Sequence, residues 1–175
     1  MCIEIFKLTN QDIIMIKKDI HFSVAIYSSY EELIPADSAL LIAAREVTKN
    51  AYAPYSKFLV GAVAILANGE TVNGTNQENA SYPVGICAER VLLSCIATQF
   101  SGIAVDTIAI SYNNVNGESD HPISPCGICR QSLAEYEERV NHPIRIILSG
   151  LSGEVYIIEK ASLLLPLSFS STDFV

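Results

Sequence analysis

The chain has 175 residues and a formal net charge of -8; half of its residues are hydrophobic and only 17% are charged. No run is apolar for long enough to cross a bilayer as a helix, and an acidic chain without a basic run is poorly suited to gripping nucleic acid or an anionic membrane surface. What remains is one domain with a large core, an extensive subunit interface, or both.

Residues 1 to about 18 show no pattern that assigns them, and a natural start at Met15 is one reading of MIKKDIHFSVAIY. Residues 21–27, rich in aromatic and β-branched side chains, predict an edge strand. Pro35 opens a helix with Asp37 or Ser38 as N-cap, and Leu40, Leu41, Ala44, Val47 and Ala51 recur at helical spacing. Residues 51–56 end it. Phe58 to Ala67 predicts a strand, Asn68-Gly69 a hairpin turn, and Glu70 to Thr75 the return strand. A loop through Tyr82-Pro83 leads to a second helix over 87–98, then a strand over 105–111. The polar stretch 112–124 predicts a surface loop. A third helix over 127–139, strands over 144–148 and 154–158, and a short helical piece over 161–165 complete the chain. Strands that alternate with returning helices imply an α/β fold, three layers with a mixed central sheet.

Five cysteines, Cys2, Cys87, Cys95, Cys126 and Cys129, are an odd number. The first segment lacks a basic start and a small-residue cleavage site. Both features predict a reducing cytoplasm rather than a disulfide framework. Cys126 and Cys129, three apart at a helix start, can meet on one face, and Cys87 can bring a third thiolate from a facing helix. Three ligands leave the fourth tetrahedral position of a zinc ion open, as catalysis requires. Glu89 reaches the same pocket if Cys87 stands at the non-helical cap, where it could move protons. Taken alone, Cys126-Gly-Ile-Cys129 could equally be a redox pair, half of a structural zinc site, or two buried small residues. Cys95 reads as core, Cys2 has no visible partner, and His21, His121 and His142 stand in no metal spacing and read as incidental.

Four segments carry a resemblance. Residues 51–58 (AYAPYSKF), 76–82 (NQENASY), 87–90 (CAER) and 125–131 (PCGICRQ) look like the successive signatures of the small cytidine deaminase family, and with 164–169 (LLPLSF) they cover about residues 37–169. The resemblance implies the cytidine-deaminase-like α/β/α fold and hydrolysis of cytidine and deoxycytidine to uridine, deoxyuridine and ammonia. It implies one Zn²⁺ per subunit on Cys87, Cys126 and Cys129, with Glu89 as the unligated proton shuttle. Asn76 and Glu78 would hydrogen-bond the sugar, Phe58 would pack on the pyrimidine, and Ala88 would offer backbone hydrogen bonds to the base. Arg90 would donate to a thiolate and tune the charge of the site. The family's three-cysteine members are typically homotetramers in which Phe169 would wall a neighbouring site.

A carboxylate and an amide suit neutral hydroxyls and serve a phosphate badly, so Asn76 and Glu78 favour a free nucleoside. Cys87 before Ala-Glu, where deoxycytidylate deaminases typically carry His, points the same way by resemblance. Two rivals stand beside this reading: deamination of a related aminopyrimidine, and a non-catalytic zinc-binding protein. The resemblance implies a catalytic domain over 37–175 after an N-terminal extension, 1–36; that extension and the long loop 112–124 depart from the short members of the family.

Overall fold

The computed structural model describes residues 3–7 and 14–174. Strands β1 (Ile3–Lys7) and β2 (Ile14–Lys18) pair antiparallel as a separate two-stranded sheet, with Met15 opposite Phe6. Within the segment that the sequence leaves unassigned, residues 3–7 and 14–18 are therefore paired strands. Strand β3 is confined to Ala25–Tyr27 within the expected 21–27. It pairs with β8 (Val155–Ile158) at one edge of the main sheet.

The main sheet has six strands in the order β3-β8-β7-β6-β4-β5. The others are β4 (Phe58–Leu66), β5 (Thr71–Thr75), β6 (Val105–Asn114) and β7 (Arg145–Ser149). Only β6 and β7 run parallel; every other neighbouring pair is antiparallel. The period of two along each strand sorts the core into two layers. Ala62, Ala64, Ile108, Ile110, Ile146 and Leu148 face one side. Val63, Ala109, Ile147 and Ile157 face the other.

Helix α1 (Pro35–Val47) covers the second face with Leu40, Leu41 and Ala44. Its N-cap is Ile34, and Pro35 at the first helical position supplies a preset φ. The expected cap, Asp37, is buried instead in a two-pronged ion pair with Arg145, both contacts at 2.7 Å. Ser38 does not cap either; its N–H donates to Ile34 O.

Helices α2 (Ala88–Gln99) and α3 (Gly127–Val140) cover the first face, giving the three-layer α/β/α architecture. Leu92 and Ile96 of α2 are wholly buried, and each contributes roughly 1.5–3 kcal/mol by leaving water. Helix α3 buries Cys129, Leu133, Tyr136 and Glu137 at helical spacing and ends on Asn141 in the left-handed conformation. Glu137 accepts from the backbone N–H groups of Ile144, Ala161 and Ser162, which ties α3 to β7 and the short 3₁₀ turn Ala161–Leu164. It is a buried acid at the fourth position after Leu133, so its face was readable but its three partners were not.

Gly74 of β5 sets the seat of α2. A Cβ there would stand 2.4 Å from Leu92 N and 2.5 Å from Ala88 O, both backbone atoms that cannot swing aside. Gly74→Ala is therefore expected to lower the unfolding free energy by about 1–3 kcal/mol and to weaken metal binding, because Cys87 directly precedes the displaced turn. Urea unfolding and a zinc titration read the two effects; an unchanged protein in both would mean that α2 is not held by this contact.

Candidate active site

The sequence opens both helices of the first face on a cysteine. Cys87 is the N-cap of α2 and Cys126 the N-cap of α3, each with extended backbone angles. This places Glu89 in the first turn of α2 and Cys129 in the first turn of α3. The sulfurs of Cys87, Cys126 and Cys129 gather within 4.8 Å of one another. Cys87 Sγ lies 3.7 Å from Cys126 Sγ, and Cys126 Sγ lies 3.4 Å from Cys129 Sγ.

Two sulfurs bound tetrahedrally to zinc at ~2.3 Å stand roughly 3.8 Å apart. The cluster has nearly that spacing, so the donor set fits Zn²⁺. Its chemistry fits as well. The Cys87 thiol is lowered to about 6, chiefly by its hydrogen bond with Cys129 and further by Cys126 and the charge of Arg90. The Cys129 thiol is pushed up by that same hydrogen bond and by burial. One crowded sulfur takes the charge while its neighbour keeps the proton, and a dication is what allows all three to ionise. The two helix N-termini add partial positive charge at the same point.

Glu89 is 5% exposed. Burial pushes its carboxyl above the ordinary range, offset in part by its own backbone N–H and by Cys129. Such a shift brings a carboxyl nearer the range where it can both take and return a proton at neutral pH. Ala88 is fully buried at the first helical position. Amides of that turn have no carbonyl within the helix to bond. Arg90 acts on Cys87 through its charge. The expected hydrogen bond from its guanidinium to sulfur is not found among the described residues.

A second cluster lies beside the entry to α2. Gln77 bridges to Tyr52 on one side and to Ile86 on the other, so the segment 76–78 is clasped between the 51–56 loop and the entry to α2. Asn76 spends much of its amide on β4: its Oδ1 accepts from Val60 N at 2.7 Å and its Nδ2 donates to Phe58 O at 2.8 Å. Glu78 Oε2 accepts from the N–H groups of Tyr55 and Ser56. Its carboxyl is held below the ordinary range by Ser56 and these amides, with Lys57 adding charge. Tyr55, Ser56, Glu78, Asn79, Tyr82 and Gly85 line a cavity of about 440 Å³. A slightly larger one of about 510 Å³ lies elsewhere, at the C-terminal end of α3, so size alone does not locate the chemistry.

Phe58 opens β4 and is half-buried. The β4–β6 register pairs Val60 with Tyr112 and Ala62 with Ile110, so alternation carries Phe58 to the face that bears α2 and α3. Its ring stacks on Tyr112, centroids 4.8 Å apart. Phe169 is far more exposed, at 59%, and packs edge-on against Phe174. Its carbonyl accepts from Gln131 Nε2 of α3.

Two residues that shape the site escaped the sequence reading. Arg130 donates to Pro125 O and Leu164 O, bracing the turn that presents Cys126. Tyr112 belongs to β6, not to the loop expected over 112–124; the alternation of Ile108 and Ile110, carried one step further, would have found it. His121 and His142, read as incidental, each hydrogen-bond a carboxylate, Asp120 and Asp106 respectively.

The chain resembles known proteins across this region. The family model for the cytidine and deoxycytidylate deaminase zinc-binding region matches residues 35–142. A cytidine deaminase of Halalkalibacterium halodurans is 36% identical over 134 residues, 77% of this chain and 94% of that protein. One from Sporosarcina psychrophila is 33% identical over 134 residues, 77% of this chain and 91% of that protein. The crystal structure of cytidine deaminase from Burkholderia pseudomallei superposes with a TM-score of 0.65 and 36% identity, over 75% of this chain and 97% of that one.

Removing the Arg90 charge is expected to raise the Cys87 thiol, because the positive charge favours the thiolate. Metal binding needs the thiolate, so Arg90→Ala should load zinc at higher pH than the parent chain. Zinc occupancy measured across pH against a fixed chelator checks this; coincident curves would mean that the charge does not reach the sulfurs.

Proposed function

Because the chain belongs to the family of zinc-dependent cytidine deaminases, we propose that Cys87, Cys126 and Cys129 hold the metal while Glu89 moves the protons of hydrolytic cytidine deamination. The observation that carries this reading is the meeting of three sulfurs and one buried carboxyl at two helix N-termini. Zn²⁺ bound there supplies a Lewis acid that lowers the pKa of water toward ~7.

The residues of the chain do the rest. Glu89 takes a proton from the attacking water as its oxygen bonds C4, and passes that proton to N3. It then takes the second proton of the former water and gives it to the departing amine. The C4–N4 bond breaks, ammonia leaves, and the carbonyl of uridine forms, so atoms and charge balance. The Ala88 N–H, first of its helix, is oriented to bond the base. Phe58 offers a ring face to the pyrimidine. Asn76 and Glu78 read the sugar: Glu78 has one oxygen engaged by the 55–56 amides and one left for a hydroxyl, and Asn76 keeps a donor and an acceptor site. Anionic Glu78 repels phosphate, which supports a free nucleoside, cytidine or deoxycytidine, and hence a place in pyrimidine salvage.

The catalytic unit spans residues 37–175 as read, with its first helix opening at Pro35; 1–36 is an extension that lends β3 to the sheet edge. Thiolate ligands need a reducing compartment, which supports the cytoplasm. The assembly is a homotetramer in which Phe169 walls a neighbouring site, a role suited to an aromatic ring so exposed in one subunit.

Glu89→Gln keeps the shape but cannot accept the proton. It is expected to retain zinc and lose ~10²–10⁴ of turnover, followed by the ultraviolet change of cytidine and of deoxycytidine. Near-normal turnover with zinc bound would sink the assignment. Light scattering is expected to give four chains for the intact protein, and truncation before Leu165 should damage activity; a fully active monomer would overturn the assembly.

A further inference from the structure

Phe58 has its own support behind it. Its backbone is fixed by Asn76, whose amide bonds both Phe58 O and Val60 N. Its ring is fixed by Tyr112, which is 1% exposed and lies nearly parallel to it, 14° between planes at 4.8 Å. One face of Phe58 is thus occupied by the protein. The half-buried ring is left with the other face to offer.

Tyr112 is itself held from the far side. His121 meets it edge-on, 5.9 Å between centroids, with Nδ1 3.3 Å from the phenol oxygen. The same Nδ1 is 3.1 Å from Asp120 Oδ1. A bare nitrogen there would face carboxylate lone pairs, so Nδ1 carries a proton and shares it between the carboxylate and the phenol oxygen. The loop that brings these two residues is anchored. Asn114 N donates to Ser119 Oγ at 2.8 Å, and Ser152 N donates to Ser119 O at 3.2 Å. The backbone of Asp120 lies so close to Gly153 that a Cβ on Gly153 would stand 1.8 Å from Asp120 O.

We propose that Tyr112, locked by His121 and Asp120, is a positioning residue that sets the ring of Phe58 against the substrate, so that the 115–124 loop is a working part of the substrate wall. This rests on the reading that Phe58 faces the pyrimidine. A ring held in one orientation loses less freedom on binding, so the device acts on affinity and not on proton transfer.

The test is steady-state kinetics on the zinc-loaded, full-length protein with cytidine. Tyr112→Phe keeps the stack and removes the phenol oxygen; His121→Ala removes its partner. Each is expected to raise KM by about three- to tenfold, the range of one hydrogen bond, with kcat within about twofold and zinc content unchanged. The double variant should be no worse than either single one, because both break the same contact. In a Phe58→Leu background, where KM is already raised, Tyr112→Phe should add nothing further. An unchanged KM in both single variants, additive losses in the double, or the same Tyr112→Phe penalty without the Phe58 ring would overturn the proposal. Phe58→Leu with a normal KM would instead overturn the reading of Phe58 beneath it, and the positioning role with it.

Discussion

Sulfur atoms 3.4 and 3.7 Å apart tolerate little displacement. A tetrahedral ion accepts them only if two helices from different parts of the chain arrive with their first turns side by side. The layers behind that meeting follow from it. Sheet side chains must be small where α2 crosses, hence Ala62 and Ala64 on β4 and a bare backbone at Gly74. Helix α3 must not slide, and Arg130 at its start and Glu137 near its end pin it to Pro125, Leu164 and the backbone around Ile144 and Ala161. The far layer, α1, closes the opposite face of the sheet, and its part-buried Asp37–Arg145 pair holds it to β7.

The same geometry sorts the electrostatics. Cys126 is exposed, Cys87 half-buried and Cys129 buried, so the cluster opens on one side and is shut on the other. Glu89 lies on the buried side, where desolvation makes it a better proton holder. Glu78 lies in an open position, where amides keep it charged. The two carboxyl groups are driven in opposite directions, Glu89 up by burial and Glu78 down by the hydrogen bonds it accepts. That separation suits one to chemistry and the other to recognition.

Much of this was legible in the chain. The order of elements follows from helical and alternating periodicity, and the metal cluster follows from cysteines that open helices. What was not legible shares a physical cause. Asp37 looked like a cap because acids favour helix starts, yet a partner 108 residues away claims it. The strand β6 runs on to Asn114 because polar Tyr112, Asn113 and Asn114 still find ladder partners in Phe58, Leu59 and Val60, and polarity misread the strand end as a loop. His121 had no spacing to mark it, since its partners are set by a loop packed against a distant turn. Local propensity is readable from neighbours; long-range pairing of a polar side chain is not.

The placement of the ligands has a consequence for the unfolded chain. Cys87 and Cys126 are 39 residues apart, and the interval contains α2 and β6. Nothing gathers the sulfurs once the chain unfolds, so an ion that needs all three binds the folded state alone, and its binding free energy adds to stability. Zn²⁺ bound there would be a reversible staple between the first turns of α2 and α3. Because its grip depends on ionised thiols, the fold's resistance to unfolding follows the redox and acid state of three sulfur atoms.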